Sequence, residues 1–214
     1  MALYFPCGKT SGPKATRDYS PAPSALHGSQ RMNNNYLDKT NFFILTGGPG
    51  AGKTIVLMQL KQLGYTTVPE VARDIIKNQE KIKGQATHRG DRNAFRDLML
   101  EQSIRDFKQL QSSSSPVFFD RGIPDLEGYT QGFCTTINPD LAQAITHYRY
   151  NPKVFIFPPW PAIYKQDEER KQDFQEAIQT YEAIEKAYQT CGYSLIEMPK
   201  KTPSARVEFI LKHV

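Results

Sequence analysis

The sequence predicts an α/β domain with a five-stranded parallel sheet flanked by helices, and three observations carry that expectation. Residues 42–45, 117–119 and 154–157 are short, continuously apolar runs, as in strands buried on both faces, and residues 65–68 and 193–198 add two further β-prone runs. Segments with apolar residues at helical spacing stand between them, which favours parallel strands joined by crossover helices. The first run also breaks directly into a glycine-rich turn that opens a helix, Thr46-Gly47-Gly48-Pro49-Gly50-Ala51-Gly52-Lys53-Thr54.

Gly47, Gly52, Lys53 and Thr54 meet the pattern G-x-x-x-x-G-K-[ST] of a P-loop, with Gly48, Pro49, Gly50 and Ala51 as the intervening positions. Glycines let successive backbone N–H groups converge on an oxyanion where a side chain would stand in the way. The helix that begins near Lys53 adds its positive end and its unpaired N–H groups to the same anion. Lys53 supplies a mobile point charge for the β and γ phosphates. Thr54 offers a hydroxyl to Mg²⁺, which keeps most of its waters and takes phosphate oxygens for the rest. Val56, Leu60 and Leu63 share one face of the helix, and Gly64 is placed as its C-cap. The loop therefore predicts a site for a nucleoside triphosphate.

A chain of 214 residues accommodates one such domain with a substantial core. Residues 1–40 contain Pro6, Pro13, Pro21 and Pro23 and no sustained apolar period, so they read as a disordered or loosely attached leader, and residues 41–214 as the domain. The leader lacks both a secretory hydrophobic region and the amphipathic pattern of an organelle-targeting peptide; Met32 is an alternative start. The net charge of +5 comes from scattered residues, 27 basic against 22 acidic, which disfavours nucleic acid as the partner. Cys7, Cys134 and Cys191 are odd in number and far apart, which fits a reducing cytoplasm and no zinc site. No apolar run reaches membrane-spanning length.

After the second strand comes Pro69-Glu70-Val71-Ala72-Arg73. Ligands of open α/β sheets bind beyond the carboxyl ends of strands, so Glu70 and Arg73 are expected to face the P-loop crevice, Glu70 as a base toward the substrate. The alternative is that Glu70 only complements the start of the next helix. Residues 75–92 are polar and basic and read as a mobile connection over the site. Residues 94–110 carry Phe95, Met99, Ile104 and Phe107 at helical spacing and read as a core helix. Val117-Phe118-Phe119-Asp120 is a strand ending in a carboxylate, which places Asp120 at the magnesium end of the site. Arg121 follows with a fork of donors for phosphate or a substrate carboxylate. Asp125, beside Pro124, is either a substrate contact or a helix-start residue. Tyr129, Phe133 and Tyr148 either line a pocket for a flat ring or belong to the core. The charged run 163–171 stands where phosphate-transfer enzymes close a small lid, with Arg170 as the lid arginine and a solvated helix start as the alternative. An amphipathic helix through Phe174, Ile178, Tyr181, Ile184 and Tyr188, a fifth strand, and a last helix with Val207, Ile210 and Leu211 complete the chain.

Taken in order, residues 46–54, Val68-Pro69-Glu70-Val71-Ala72-Arg73, Phe119-Asp120-Arg121-Gly122, Tyr164 with Asp167 and Arg170, and Cys191-Gly192-Tyr193 before Met198-Pro199 resemble one P-loop AAA-type family. That family includes the ribosylnicotinamide-kinase domain of NadR-like NAD regulators and the TRPL translocation defect proteins. The resemblance implies a nucleoside- or nucleotide-kinase-like core, ATP on the P-loop, and a small acceptor between Glu70, Arg73 and Arg121. One expectation is a Mg²⁺-dependent kinase for a nucleoside-like hydroxyl, in which Lys53 and Thr54 hold phosphates and metal, Asp120 or Glu70 is the base, and Arg121 and Arg170 stabilise the transferring group. The other is a nucleotide-dependent regulatory protein or slow ATPase that controls a protein or lipid partner.

Overall fold

The computed structural model describes residues 37–164 and 174–214. Residues 165–173, which hold Arg170 and most of the expected lid, lie outside the described residues, as do residues 1–36.

The strand Phe42–Gly47 (β2) stands at the centre of a five-stranded sheet and is buried along its whole length. Its neighbours are Val117–Asp120 (β4) on one side and Lys153–Phe157 (β6) on the other, with Thr66–Val68 (β3) outside β4 and Ser194–Glu197 (β7) outside β6; every pairing is parallel. Side chains alternate across a strand, and each run feeds two layers at once. Phe42, Ile44, Val117, Phe119, Val154 and Ile156 enter the larger apolar cluster, whereas Phe43, Leu45, Phe118, Phe155 and Phe157 enter the other. Helices Lys53–Gln62 (α1) and Pro203–Leu211 (α7) cover the smaller cluster through Val56, Leu60, Val207 and Ile210. The opposite face is covered by Val71–Ile82 (α2), Arg92–Leu110 (α3), Asp125–Phe133 (α4), Pro139–His147 (α5) and Phe174–Thr190 (α6). Double coverage explains why these strands show no polar alternation.

Two expectations change and one open alternative closes. The connection expected over residues 75–92 shortens to 83–91, because α2 runs on to Ile82: Ala72, Ile76 and Gln79 fall on one buried face at helical spacing, while Lys77 and Lys81 stay exposed on the other. Tyr129, Phe133 and Tyr148 do not line a ring pocket; all three are buried in the larger cluster, with Tyr129 against Phe95 and Tyr148 against Phe107. Finally, Leu37–Asp38 (β1), within the stretch assigned to the leader, pairs in parallel with Tyr148–Arg149 (β5), and the Lys39 N–H donates to the Arg149 carbonyl at 2.8 Å.

The carboxyl ends of β2, β3, β4 and β6 open on one edge, and the turns leaving them carry the P-loop, Glu70, Arg121 and Trp160. Backbone approaches backbone most closely there at Gly47, paired with Phe157: at φ 126°, a Cβ would stand 2.4 Å from the Phe157 carbonyl oxygen. Gly64 also has positive φ, 91°, but no atom within 4 Å of a Cβ. Gly64→Ala should therefore cost only the left-handed backbone penalty, about 1 kcal/mol, and Gly47→Ala that penalty plus a strand displacement, about 3 kcal/mol. Urea unfolding of both variants checks this, with equal losses as the contrary result.

Candidate active site

The P-loop and the turns after β3, β4 and β6 enclose a cleft of about 610 Å³. Pro49, Gly50, Ala51, Gly52, Lys53 and Thr54 form one side, Glu70, Arg73, Asp120 and Arg121 another, and Trp160, Ile163 and residues 201–203 a third. Sequence-predicted residues from three separate turns thus meet around one space. Gly47 and Gly48 lie beneath the loop, and their carbonyls accept from Lys53 Nζ at 3.1 and 3.0 Å.

Lys53 is only 7% exposed. Burial lowers its pKa to about 8 with help from the Arg121 charge, against the carboxylates of Asp120, Glu70 and Asp125. Asp120, 8% exposed, moves the other way: burial pushes its carboxyl up to about 6, although Lys53 favours the ionised form. Its Oδ1 is buried with no hydrogen-bond partner among the described residues. A buried carboxylate oxygen without a donor is costly, and one carboxylate beside a threonine hydroxyl suits Mg²⁺, which takes few protein ligands and leaves the rest of its shell to phosphate and water. No group of three or more His, Cys, Asp or Glu side chains forms an all-protein metal cage among the described residues. The residues present therefore fit a magnesium–nucleotide complex.

Arg121 is the most constrained residue of the wall. It follows β4 with φ 71°, a left-handed conformation rare outside glycine, and its N–H donates to the Leu45 carbonyl at 3.0 Å. Its Nε donates to Glu70 Oε1 at 3.0 Å and its Nη1 to Asp125 Oδ1 at 2.9 Å. Burial opposes its charge, but Glu70, Asp125 and Asp120 outweigh burial and raise its pKa. Glu70 occupies the N-cap position of α2 yet makes no side-chain capping bond. Its carboxylate turns instead to Arg121, with Arg73 Nε at 3.7 Å from Oε2. Burial opposes the ionised form of Glu70, but Arg121, Lys53 and Arg73 together keep its pKa below the usual carboxylate value.

Asp125 opens α4, as the helix-start alternative has it, and also borders a small cavity behind the wall. It is 6% exposed and lies behind the cleft wall, where Oδ1 accepts from Thr46 Oγ1 at 2.6 Å and Arg121 Nη1, and Oδ2 accepts from the Gly122 N–H at 2.8 Å and the Tyr188 hydroxyl. With four donors its carboxylate fastens the turn after β4 to β2 and α6. Sequence reasoning missed Thr46 and Tyr188 in this role, and missed Trp160, Ile163 and residues 201–203 as walls. A polar threonine closing an apolar strand was the one available signal; the tyrosine sits in a helical apolar stripe like any core residue.

No curated protein sequence matches the chain. Among solved structures, the deoxyadenosine kinase from M. mycoides is 14% identical at a TM-score of 0.57, over 80% of this chain and 97% of that one. The thymidylate kinase from Ehrlichia chaffeensis is also 14% identical, at 0.53 over 80% and 97%. The NadR protein in complex with NR is 13% identical at 0.61, over 84% of this chain but 50% of NadR. At these identities the likeness concerns the fold, which is that of P-loop kinases. Residues 42–206, from the first residue of the central strand into the last helix, match the family described as AAA domain, and the chain belongs to that family.

Proposed function

We propose that this chain is a Mg²⁺-dependent phosphotransferase that moves the γ-phosphoryl group of ATP to a hydroxyl of a small, nucleoside-like acceptor. One observation carries the reading: Glu70, Asp120 and Arg121 form a shared wall, with the P-loop cleft on one side and a smaller cavity on the other, against Val71 and Ala72 of α2 and Met99 and Ser103 of α3. At about 30 Å³ the smaller cavity has room for a water-sized group, so it marks the acceptor side of the wall without holding a whole acceptor. The fold neighbours named deoxyadenosine kinase and thymidylate kinase support the acceptor class.

The P-loop N–H groups and Lys53 hold the β and γ phosphates. Thr54 and Asp120 would hold Mg²⁺, which when bound neutralises charge on the phosphate oxygens. Glu70, kept ionised by its two arginines, orients the acceptor hydroxyl and takes its proton as the oxygen bonds to the γ-phosphorus. The bond from that phosphorus to the β–γ bridging oxygen breaks in the same displacement, and ADP leaves. Arg121, whose Nε and Nη1 are engaged, presents Nη2 to the transferring group. Arg170 is assigned to the lid on sequence grounds. The leader assigned on sequence grounds is taken to end before Leu37, where pairing with β5 begins, and a cytoplasmic setting is supported by Cys134 and Cys191, both free thiols.

A thermal-shift panel of nucleosides with and without Mg-ATP tests the reading. The wild-type chain should gain about 2.7 kcal/mol at a hundredfold excess over Kd, and Lys53→Ala should gain nothing while remaining folded. ATP consumption should rise when the acceptor is supplied; slow hydrolysis indifferent to every acceptor would instead indicate a regulatory nucleotide-binding protein. Glu70→Gln should lower turnover at least ~100-fold with ATP affinity unchanged.

Asp120→Asn separates stability from function. Because the folded pKa of Asp120 lies above its unfolded value, the native state holds the proton more tightly, and stability falls as pH rises from about 4 through about 6. The asparagine variant escapes that loss. Above pH ~6 it should be more stable than wild type in the absence of nucleotide, by up to about 3 kcal/mol, with no difference near pH 4. It should also lose the Mg²⁺-dependent part of nucleotide affinity, measured by titration calorimetry.

A further inference from the structure

Arg206, in the first turns of α7, is 2% exposed and belongs to none of the walls described above. Its Nε donates to the Pro199 carbonyl at 2.9 Å, and its Nη1 crosses to the P-loop to donate to the Ala51 carbonyl at 2.8 Å. The guanidinium lies against the rings of Phe157 and Trp160, 5.4 and 4.8 Å from their centroids. Its Nη2 is buried with no hydrogen-bond partner among the described residues. No salt bridge pairs the charge among the described residues. A buried cation without a carboxylate is costly, and aromatic faces offset only part of that cost. An apolar residue at this position of the helix would give a cheaper core, so the arginine has to contribute something other than packing.

We infer that Arg206 is a positioning residue for the phosphate-binding loop; the inference rests on the nucleotide-binding reading above. The peptide joining Ala51 to Gly52 is trans and planar, so its carbonyl and the Gly52 N–H point to opposite edges. By fixing the Ala51 carbonyl on the α7 side, Arg206 holds the Gly52 N–H toward the opposite side, where an oxyanion on the loop is met. Such a clamp is needed because Gly50 and Gly52 both have positive φ, 73° and 88°, in a loop whose glycines resist rotation least. Gly52 also gives the clamp its room: a Cβ there would stand 3.0 Å from Arg206 Nη1 and 3.3 Å from Ile163 Cδ1. Arg206 lines neither cavity, and its effect reaches the phosphate side through one peptide plane.

Titration calorimetry with inorganic tripolyphosphate and with Mg-ATP, well below the melting temperature, tests this on three variants. Arg206→Met keeps the length and apolar packing of the side chain and removes both hydrogen bonds; it should weaken both ligands about tenfold or more. Arg206→Lys keeps the charge and one donor and should recover part of the loss, remaining several-fold weaker than wild type. Ile210→Ala, a cavity variant of the same helix, should melt lower with affinity unchanged. Full affinity in Arg206→Met, or an equal loss in Ile210→Ala, overturns the inference while leaving the proposed function in place. Should Arg206→Met not fold, Arg206→Lys decides: several-fold weaker binding supports the clamp and wild-type affinity overturns it. A wild-type chain that binds neither ligand overturns the nucleotide reading itself.

Discussion

Asp125 gathers four donors from three parts of the chain onto one buried carboxylate, and the geometry of the cleft wall depends on it. Thr46 belongs to the central strand, Arg121 and Gly122 to the turn after β4, and Tyr188 to α6. A carboxylate this far from water is tolerated because every donor is made good, and Arg121 supplies the compensating charge. Removing the carboxylate would orphan a guanidinium, a backbone N–H and two hydroxyls together, so its loss should propagate well beyond one contact. The same hub accounts for the left-handed backbone of Arg121. A strained φ of 71° persists only where surrounding bonds over-determine it, and here the Leu45 carbonyl, Glu70 and Asp125 all do so. The strain aims a guanidinium at the seam between two cavities.

Next to this settled cluster, the electrostatics of Lys53 and Asp120 are unsettled. The lysine is driven toward its neutral form and the carboxyl toward its protonated form, each mainly by burial. Polyphosphate would favour the charged lysine and a metal the charged carboxylate, so their mutual cost is relieved by the ligand class that the loop geometry suits. Under the proposed function, stability given up at Asp120 would be recovered as binding energy, the usual relation between a functional site and the fold that carries it.

Legibility in the sequence followed the range of the interaction. The P-loop is a local pattern in which strand, turn and helix are consecutive, and Asp120 follows from a strand ending in an acid; both read correctly as to position. Glu70 was left between a catalytic and a capping reading, since only the fold shows it turning from the helix start to Arg121, 51 residues on. The hub role of Asp125 is illegible for the same reason, as its partners Thr46 and Tyr188 stand 79 and 63 residues away. Arg206 carried no signal at all, being an arginine in an apolar stripe whose partner is a backbone carbonyl 155 residues earlier. The continuation of α2 was legible but outweighed by its lysines: Ala72, Ile76 and Gln79 keep helical spacing through a stretch whose composition suggests a loop.

Two helices from opposite layers thus reach the phosphate side of the cleft by one buried polar contact each. Through Tyr188, α6 holds the hub under Arg121 from one face of the sheet; through Arg206, α7 holds the Ala51 peptide from the other. The smaller cavity is built differently. Its wall on α2 and α3 is made by Val71, Ala72, Met99 and Ser103, side chains that take no part in either clamp. Substitutions there can reshape the smaller cavity without disturbing the contacts that hold the loop and Arg121. In this architecture the phosphate-binding loop and Arg121 are fixed by long-range polar contacts, while the smaller cavity is left to the packing of two helices.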